Sequence, residues 1–354
     1  MIKIESALLQ VEINREAELQ SVFDKKRNRE CLWQGDAKYW KERSPLLFPF
    51  IGRLFQKAYY YNGEKYPMDV HGFLRSMQAR IVDQEEDSCT LEFRDSAESR
   101  KIYPFSFRLQ QSYRVKDNCL DVCSRVENLG IEVMYFALGG HPGFYLPFSK
   151  KQAISDYAIH FPKQEAMMEK VRFSKDLLTL EERENFALVN GRLPLETVLF
   201  RNDAVVLANS GGELVLGSDD EPVSLRFLYE DYPYIALWQP YGEKTPFLCV
   251  EPWTSLPGRE GVMEELCSMK DRISLGPDEA KSFCYSIIAR LHPYTASARA
   301  VSMNTVLPPP ALFTLLLRLQ MQLHLFPLLP VKIQHHQEGE SFRCGEGKPN
   351  PRHF

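Results

Sequence analysis

The chain has 354 residues, of which 44% are hydrophobic and 25% charged, and it carries a formal net charge of −4. That length can bury a sizeable core as one large domain or two ordinary ones, and the balance is that of a soluble globular protein rather than a disordered or fibrous one. No basic excess is present to mark a nucleic-acid surface.

Taken in chain order, the N-terminal "MIKIESALLQVEINREAE" scatters charges and has no apolar core segment, so no signal peptide is expected there. "SCTLEFRD" (88–95) reads as a strand. In "FSFRLQQSYRV" the residues Phe107, Leu109, Tyr113 and Val115 share one face, with Arg108, Gln110, Ser112 and Arg114 on the other. "KDN" turns the chain, and "LDVCSRV" returns with Leu120, Val122 and Val126 on one side. This spacing predicts an antiparallel hairpin with one wet face. Residues 164–186, rich in Glu, Lys and Leu, are expected to form one or two short helices. "VSLRFLYE", "YIALWQP", "FLCVEPW" and "SFCYSIIARL" read as further strands. So many strands with closely spaced turn signals predict an all-β, mainly antiparallel sandwich or barrel with few short helices.

The eight cysteines show no paired metal spacing. Cys119 and Cys123 fall on one sheet face, and the cysteines are expected to be reduced thiols in a cytoplasmic protein. The last sixty residues differ in character. After Tyr294 there is no Tyr, Trp or Asp, prolines crowd in ("LPPP", "FPLLP"), and four of the eight histidines occur there. "ALFTLLLRLQMQLHLFPLLP" has nearly the length of a membrane span, but Arg318, His324, two glutamines and a proline interrupt it. Residues 1–294 are expected to form the folded domain, with 295–354 a disordered tail outside it.

Two histidines sit in unusual surroundings. "MDVHGFLR" places His71 directly before Gly72, and "GGHPGF" places His141 between glycines and a proline. Glycine permits backbone conformations and close approaches that other residues forbid, and proline ends a ladder, so both imidazoles would be held rigidly at strand ends. His160 and His292 read as ordinary strand-end residues. In "FLCVEPW", Phe247, Cys249 and Glu251 point to one face. A glutamate behind four mostly apolar residues is costly if buried alone, and Pro252 stops the strand behind it, where a pocket can open.

Five stretches, "SPLLFPFIGRL", "HGFLR", "YPFSFRL", "GGHPGFYLPF" and "CVEPWTSLPG", occur in the order and spacing of the aldose 1-epimerase (galactose mutarotase) superfamily. The chain resembles that superfamily from about residue 2 to about residue 292, and its LacX-type branch in particular. The resemblance implies a galactose mutarotase-like β-supersandwich that interconverts sugar anomers, with no cofactor and no metal. It implies His141 as general acid, Glu251 as general base and His71 as a substrate-holding histidine, and it places Arg53 and Asp203 on the sugar. Arg75 in "HGFLR" is similar to the arginine in "HGFAR" of hexose-6-phosphate mutarotases, where arginines contact phosphate; Leu74 departs from that pattern. Phe144, Trp238 and Trp253 are candidates for a stacking platform, with core packing as the competing role for each. The expected partner is a small sugar, with no nucleic acid or membrane partner for the folded domain, in a monomer or homodimer.

The chemistry suits these residue types. Pyranose opening takes a proton from the C1 hydroxyl and gives one to the ring oxygen, and a carboxylate and an imidazolium serve near neutral pH. The expected geometry has Glu251 facing the two imidazoles across a gap the width of a pyranose. Three other readings stay open: two histidines and a glutamate as zinc ligands, Glu251 with Asp203 as the carboxylate pair of a glycosidase, and a non-catalytic sugar-binding protein of the same fold.

Overall fold

The hairpin that alternation predicts is the centre of the larger sheet. In the computed structural model, which describes residues 1–148, 152–164, 166–219, 223–242 and 244–290, Phe107–Lys116 pairs antiparallel with Cys119–Asn128. Burial alternates along both strands, with Phe107, Leu109, Tyr113 and Val115 buried against Leu120, Val122 and Val126. The core face also takes in Gln111, whose side-chain oxygen accepts the hydroxyl of Ser124, its cross-strand partner. That pairing removes the cost of burying both. The wet face carries Arg108 and Arg125 on Glu127.

Neighbours extend this hairpin into a nine-stranded sheet among the described residues. Its order is Arg192–Pro194, Ala158–His160, Glu213–Gly217, Ser224–Leu228, Ala280–Arg290, Cys119–Asn128, Phe107–Lys116, Ser88–Arg94 and Arg80–Gln84. A second sheet runs Thr179–Ala187, Met167–Phe173, Val205–Ala208, Tyr234–Trp238, Phe247–Trp253, Gly139–Gly140 and Leu46–Leu47, with Gly143–Tyr145 also on Phe247–Trp253. The pairings within both sheets are antiparallel. Helix is confined to 3₁₀ segments of three or four residues among the described residues, and none is long and apolar enough to cross a membrane. One continuous apolar cluster joins inward residues of both sheets, among them Phe107, Leu248 and Phe283, and takes in Phe48 and Phe136 beside them.

Two expectations are corrected here. Residues 164–186 are not helical: Met167–Phe173 and Thr179–Ala187 form an antiparallel hairpin at the edge of the second sheet. Its outer strand is exposed or half-exposed along most of its length, so neither face needed apolar residues, and a charged composition was compatible with strand. The cysteines are not all reduced thiols: Cys123 and Cys284 lie opposite each other on neighbouring strands, with Cα atoms 4.2 Å apart, and form a disulfide. Cys31, Cys89, Cys119 and Cys249 are free. His292 and the tail 295–354 lie outside the described residues.

Gly72 shows how tightly the site's framework is drawn. Its φ is +76°, and a Cβ there would sit 2.1 Å from the carbonyl oxygen of Phe48. Glycine alone meets both demands. Gly72→Ala is expected to lower stability by more than the ~1–3 kcal/mol of a strained backbone position alone, read as a drop in Tm.

Candidate active site

The register of the second sheet brings the two principal candidates together. Gly139 pairs with Trp253 and Gly143 with Cys249 on the strand Phe247–Trp253, and Val250 N–H donates to the Pro142 carbonyl at 3.0 Å. His141 therefore lies across from Glu251. Its Nε2 is 3.2 Å from Glu251 Oε2, with both side chains buried. The glycines make this approach possible: a Cβ on Gly139 would come within 3.0 Å of the Pro252 carbonyl oxygen.

The expected gap the width of a pyranose between acid and base is therefore corrected: the two groups are cross-strand neighbours, because both strands belong to one sheet. The N···O approach lacks hydrogen-bond alignment, which leaves Glu251 Oε2 buried without a hydrogen-bond partner; His141 Nδ1, the ring nitrogen outside that contact, is also buried without one. Two unsatisfied buried atoms at one spot call for an explanation, and a ligand hydroxyl supplies one.

His71 reaches the same place from a turn. Its φ is +64°, a strained setting of the kind that collects at functional sites. Gly52 clamps it twice: Gly52 N–H donates to His71 Nδ1 at 3.1 Å, and His71 N–H donates to the Gly52 carbonyl at 2.9 Å. An Nδ1 that accepts assigns the ring proton to Nε2, which makes His71 a neutral donor. The ring centroids of His71 and His141 are 5.7 Å apart.

These groups line a cavity of about 380 Å³ together with Arg53, Arg75, Asp203, Trp238 and Trp253, a size within the range of small-molecule sites. A family model described as aldose 1-epimerase matches residues 2–265.

This chain belongs to the aldose 1-epimerase family.

Protein LacX of Lactococcus lactis subsp. lactis, in its plasmid and chromosomal forms, is 30% identical over 247 residues, which is 68% of this chain and 82% of LacX. Among solved structures, a galactose mutarotase-like protein from Lactobacillus casei superposes with a TM-score of 0.78 at 30% identity, over 82% of this chain and 100% of that one. A galactose mutarotase related enzyme from Lactobacillus acidophilus gives 0.76 at 28% identity, over 81% and 96%. The all-β mutarotase-like fold is thus shared by chain and relatives.

Within this family member, Arg53 is exposed and lines the cavity. Arg75 also lines the cavity, and its guanidinium donates to both oxygens of Glu42, at 3.1 and 3.2 Å, and to the Val70 carbonyl at 3.3 Å. Asp203, with φ +74°, accepts the Trp238 indole N–H at 2.8 Å. Phe144 is corrected: it is fully buried, its ring 5.0 Å from Phe227, and the cavity lining does not include it. Trp253 does line the cavity although it is nearly buried. His160 ends a strand of the other sheet and stays out of the lining.

Sequence reading missed Trp40 and Glu42. Trp40 tilts over His141 with centroids 4.7 Å apart and meets Trp238 edge-on at 5.7 Å. Both missed residues sit in "KYWKERSP", a stretch without periodicity that only the long-range packing delivers to the cavity. An aromatic among charges just before the "SPLLFPFIGRL" stretch was the one available signal.

The electrostatics of this epimerase-family site favour uncharged forms. Burial raises the Glu251 carboxyl well above its ordinary value, and the charge of Asp203 adds to the rise; the nearby Trp253 indole opposes it without reaching hydrogen-bond alignment. Burial lowers His141 well below the ordinary imidazole value, helped by His71. His71 is lowered to about 3 by burial and by the positive fields of Arg75 and Arg53. Both shifts favour the neutral pair, with Glu251 protonated and His141 unprotonated.

Proposed function

We propose that this chain interconverts the α and β anomers of an aldose by acid–base ring opening and closure, and so serves carbohydrate metabolism. The observation that carries the reading is the His141–Glu251 contact on the cavity wall, with its two unsatisfied atoms. The proton to be removed is on O1 and the proton to be delivered goes to the ring oxygen. Both oxygens are bonded to C1, so an acid and a base that touch one another are well placed to serve both.

One proton on the pair is enough. One member gives it to the ring oxygen as the other takes the O1 proton, and the C1–O bond of the ring opens to the aldehyde. Rotation about C1–C2 exposes the other face, and closure returns the proton along the same route. Burial favours the state with Glu251 protonated and His141 neutral, in which Glu251 is the acid of ring opening and His141 the base. That reverses the roles the resemblance implies, while closure exchanges them again, as reversibility requires. His71, a neutral Nε2–H donor, holds a sugar oxygen. Trp40, Trp238 and Trp253 supply apolar faces for the ring, and Asp203 and Arg53 supply polar contacts.

Polarimetry on freshly dissolved α-glucose, α-galactose and glucose 6-phosphate tests the reading. Acceleration of at least one mutarotation is expected. Saturable sugar binding with no acceleration of any would establish the non-catalytic binder instead. Asp203→Asn removes a charge that holds the Glu251 proton on, so the alkaline limb of kcat/KM is expected to move to lower pH. An unmoved limb would show that Asp203 does not act on Glu251.

A further inference from the structure

We propose that His141, Cys249 and Glu251 form a three-ligand site for a thiophilic divalent cation, Zn²⁺ foremost, and that an ion bound there silences the acid–base pair. Cation binding stands on its own; the silencing rests on the function proposed above. Cys249 has no part in that function, yet it shares a strand face with Glu251 at a two-residue interval. One donor atom from each of the three side chains lies within 4.8 Å of the others, and all three side chains are buried.

The 3.2 Å between His141 Nε2 and Glu251 Oε2 is near the edge of a tetrahedron built on metal–ligand bonds of about 2.0–2.2 Å. Three protein donors leave a fourth position for water, on the side where His141 and Glu251 line the cavity. Cys249 packs behind them with Trp33 and Phe247.

The donor set selects the ion. A thiolate and an imidazole favour Zn²⁺ or Co²⁺ over the hard cations Ca²⁺ and Mg²⁺, which need more oxygens than this site has. A thiolate and a carboxylate together neutralise a divalent ion, so the filled site places no net charge in the interior. On binding, the Cys249 thiol proton and the proton held by the His141–Glu251 pair leave to solvent as three metal–ligand bonds form. No oxidant or reductant is needed. The ion takes the lone pairs that would otherwise move the sugar's protons, so ring opening stops until it is removed.

The test uses the full-length chain freed of metal by chelation and titrated with Co²⁺, with Zn²⁺ displacement. A thiolate-to-cobalt charge-transfer band is expected in the near ultraviolet. Cys249→Ser and Cys249→Ala should abolish it and weaken binding at this site by more than the ~10–100-fold typical of losing even an outer-shell partner. Metal-free Cys249→Ala should keep wild-type mutarotation and resist a Zn²⁺ concentration that silences the wild type. Cys249→Ser, nearly the same size as cysteine, separates loss of the ligand from loss of fold. Absence of the band in the wild type overturns the proposal. So does a band of equal strength in both variants, which would place the ion on other cysteines or histidines of the chain. The spectroscopic result holds whether or not the chain catalyses mutarotation.

Discussion

Glu251→Gln and His141→Asn are each expected to cost about 10²–10⁴-fold in mutarotation turnover, the usual contribution of a positioned proton-transfer group. Glu251→Gln keeps shape, His141→Asn keeps a polar amide in place of the ring, and both remove proton capacity. Because the two side chains act on one proton, the double variant should lose little more than either single one. Full additivity in the double variant would mean that the residues act independently, and near-normal rates in both single variants would overturn the assignment. KM should change far less than kcat, since sugar contacts through His71, Asp203 and the indoles remain.

The second large effect is in the pH profile. A lone imidazolium acid of ordinary pKa would lose rate about tenfold per unit above pH ~6.5. The site is built differently. Glu251 is raised from 4.5, so the pair keeps its proton as pH climbs past that value. His141 is lowered from 6.5, so a second proton is not taken up until the pH is well below that value. The one-proton state therefore loses its proton at a higher pH than an ordinary carboxyl would, and gains a second at a lower pH than an ordinary imidazole would. Values of kcat/KM are expected to stay level as pH rises through 6.5, with the acid limb below that point. A decline that begins at 6.5 would show His141 acting as a free imidazolium. His71, lowered to about 3 by burial and by Arg75 and Arg53, adds no limb near neutrality.

The same pair shows the tension between stability and chemistry in this fold. An unsatisfied oxygen on a fully buried glutamate and an unsatisfied nitrogen on its histidine neighbour are costly to the fold. Trp238 is pinned by Asp203 and His71 by Gly52, so the walls cannot collapse to relieve that cost. A rigid wall with unmet hydrogen bonds is what a pre-organised site requires.

Much of this protein is legible in one dimension. The Phe107–Asn128 hairpin shows itself because one face is dry and the other wet, so side-chain period and burial coincide. His71, His141 and Glu251 stand out because glycine and proline crowd them, and those neighbours are there for backbone reasons that survive in sequence: φ +76° at Gly72 and close packing at Gly139. The hairpin at 167–187 stayed hidden because its outer strand is largely exposed, and the irregular register between Val171 and Phe173 breaks the alternation of its inner strand. Trp40 and Glu42 stayed hidden because an irregular loop carries no period at all.

Residue types and strand parity alone determined which side chains could carry proton chemistry and that Cys249 shares the face of Glu251. Tertiary structure decided how far apart they stand and who holds the proton. Separation follows from which strands become neighbours, a long-range pairing such as Gly143 with Cys249. Protonation follows from burial and from charges such as Asp203 brought in from elsewhere in the chain, because the free energy of a charge depends on its surroundings in space and not on its neighbours in sequence.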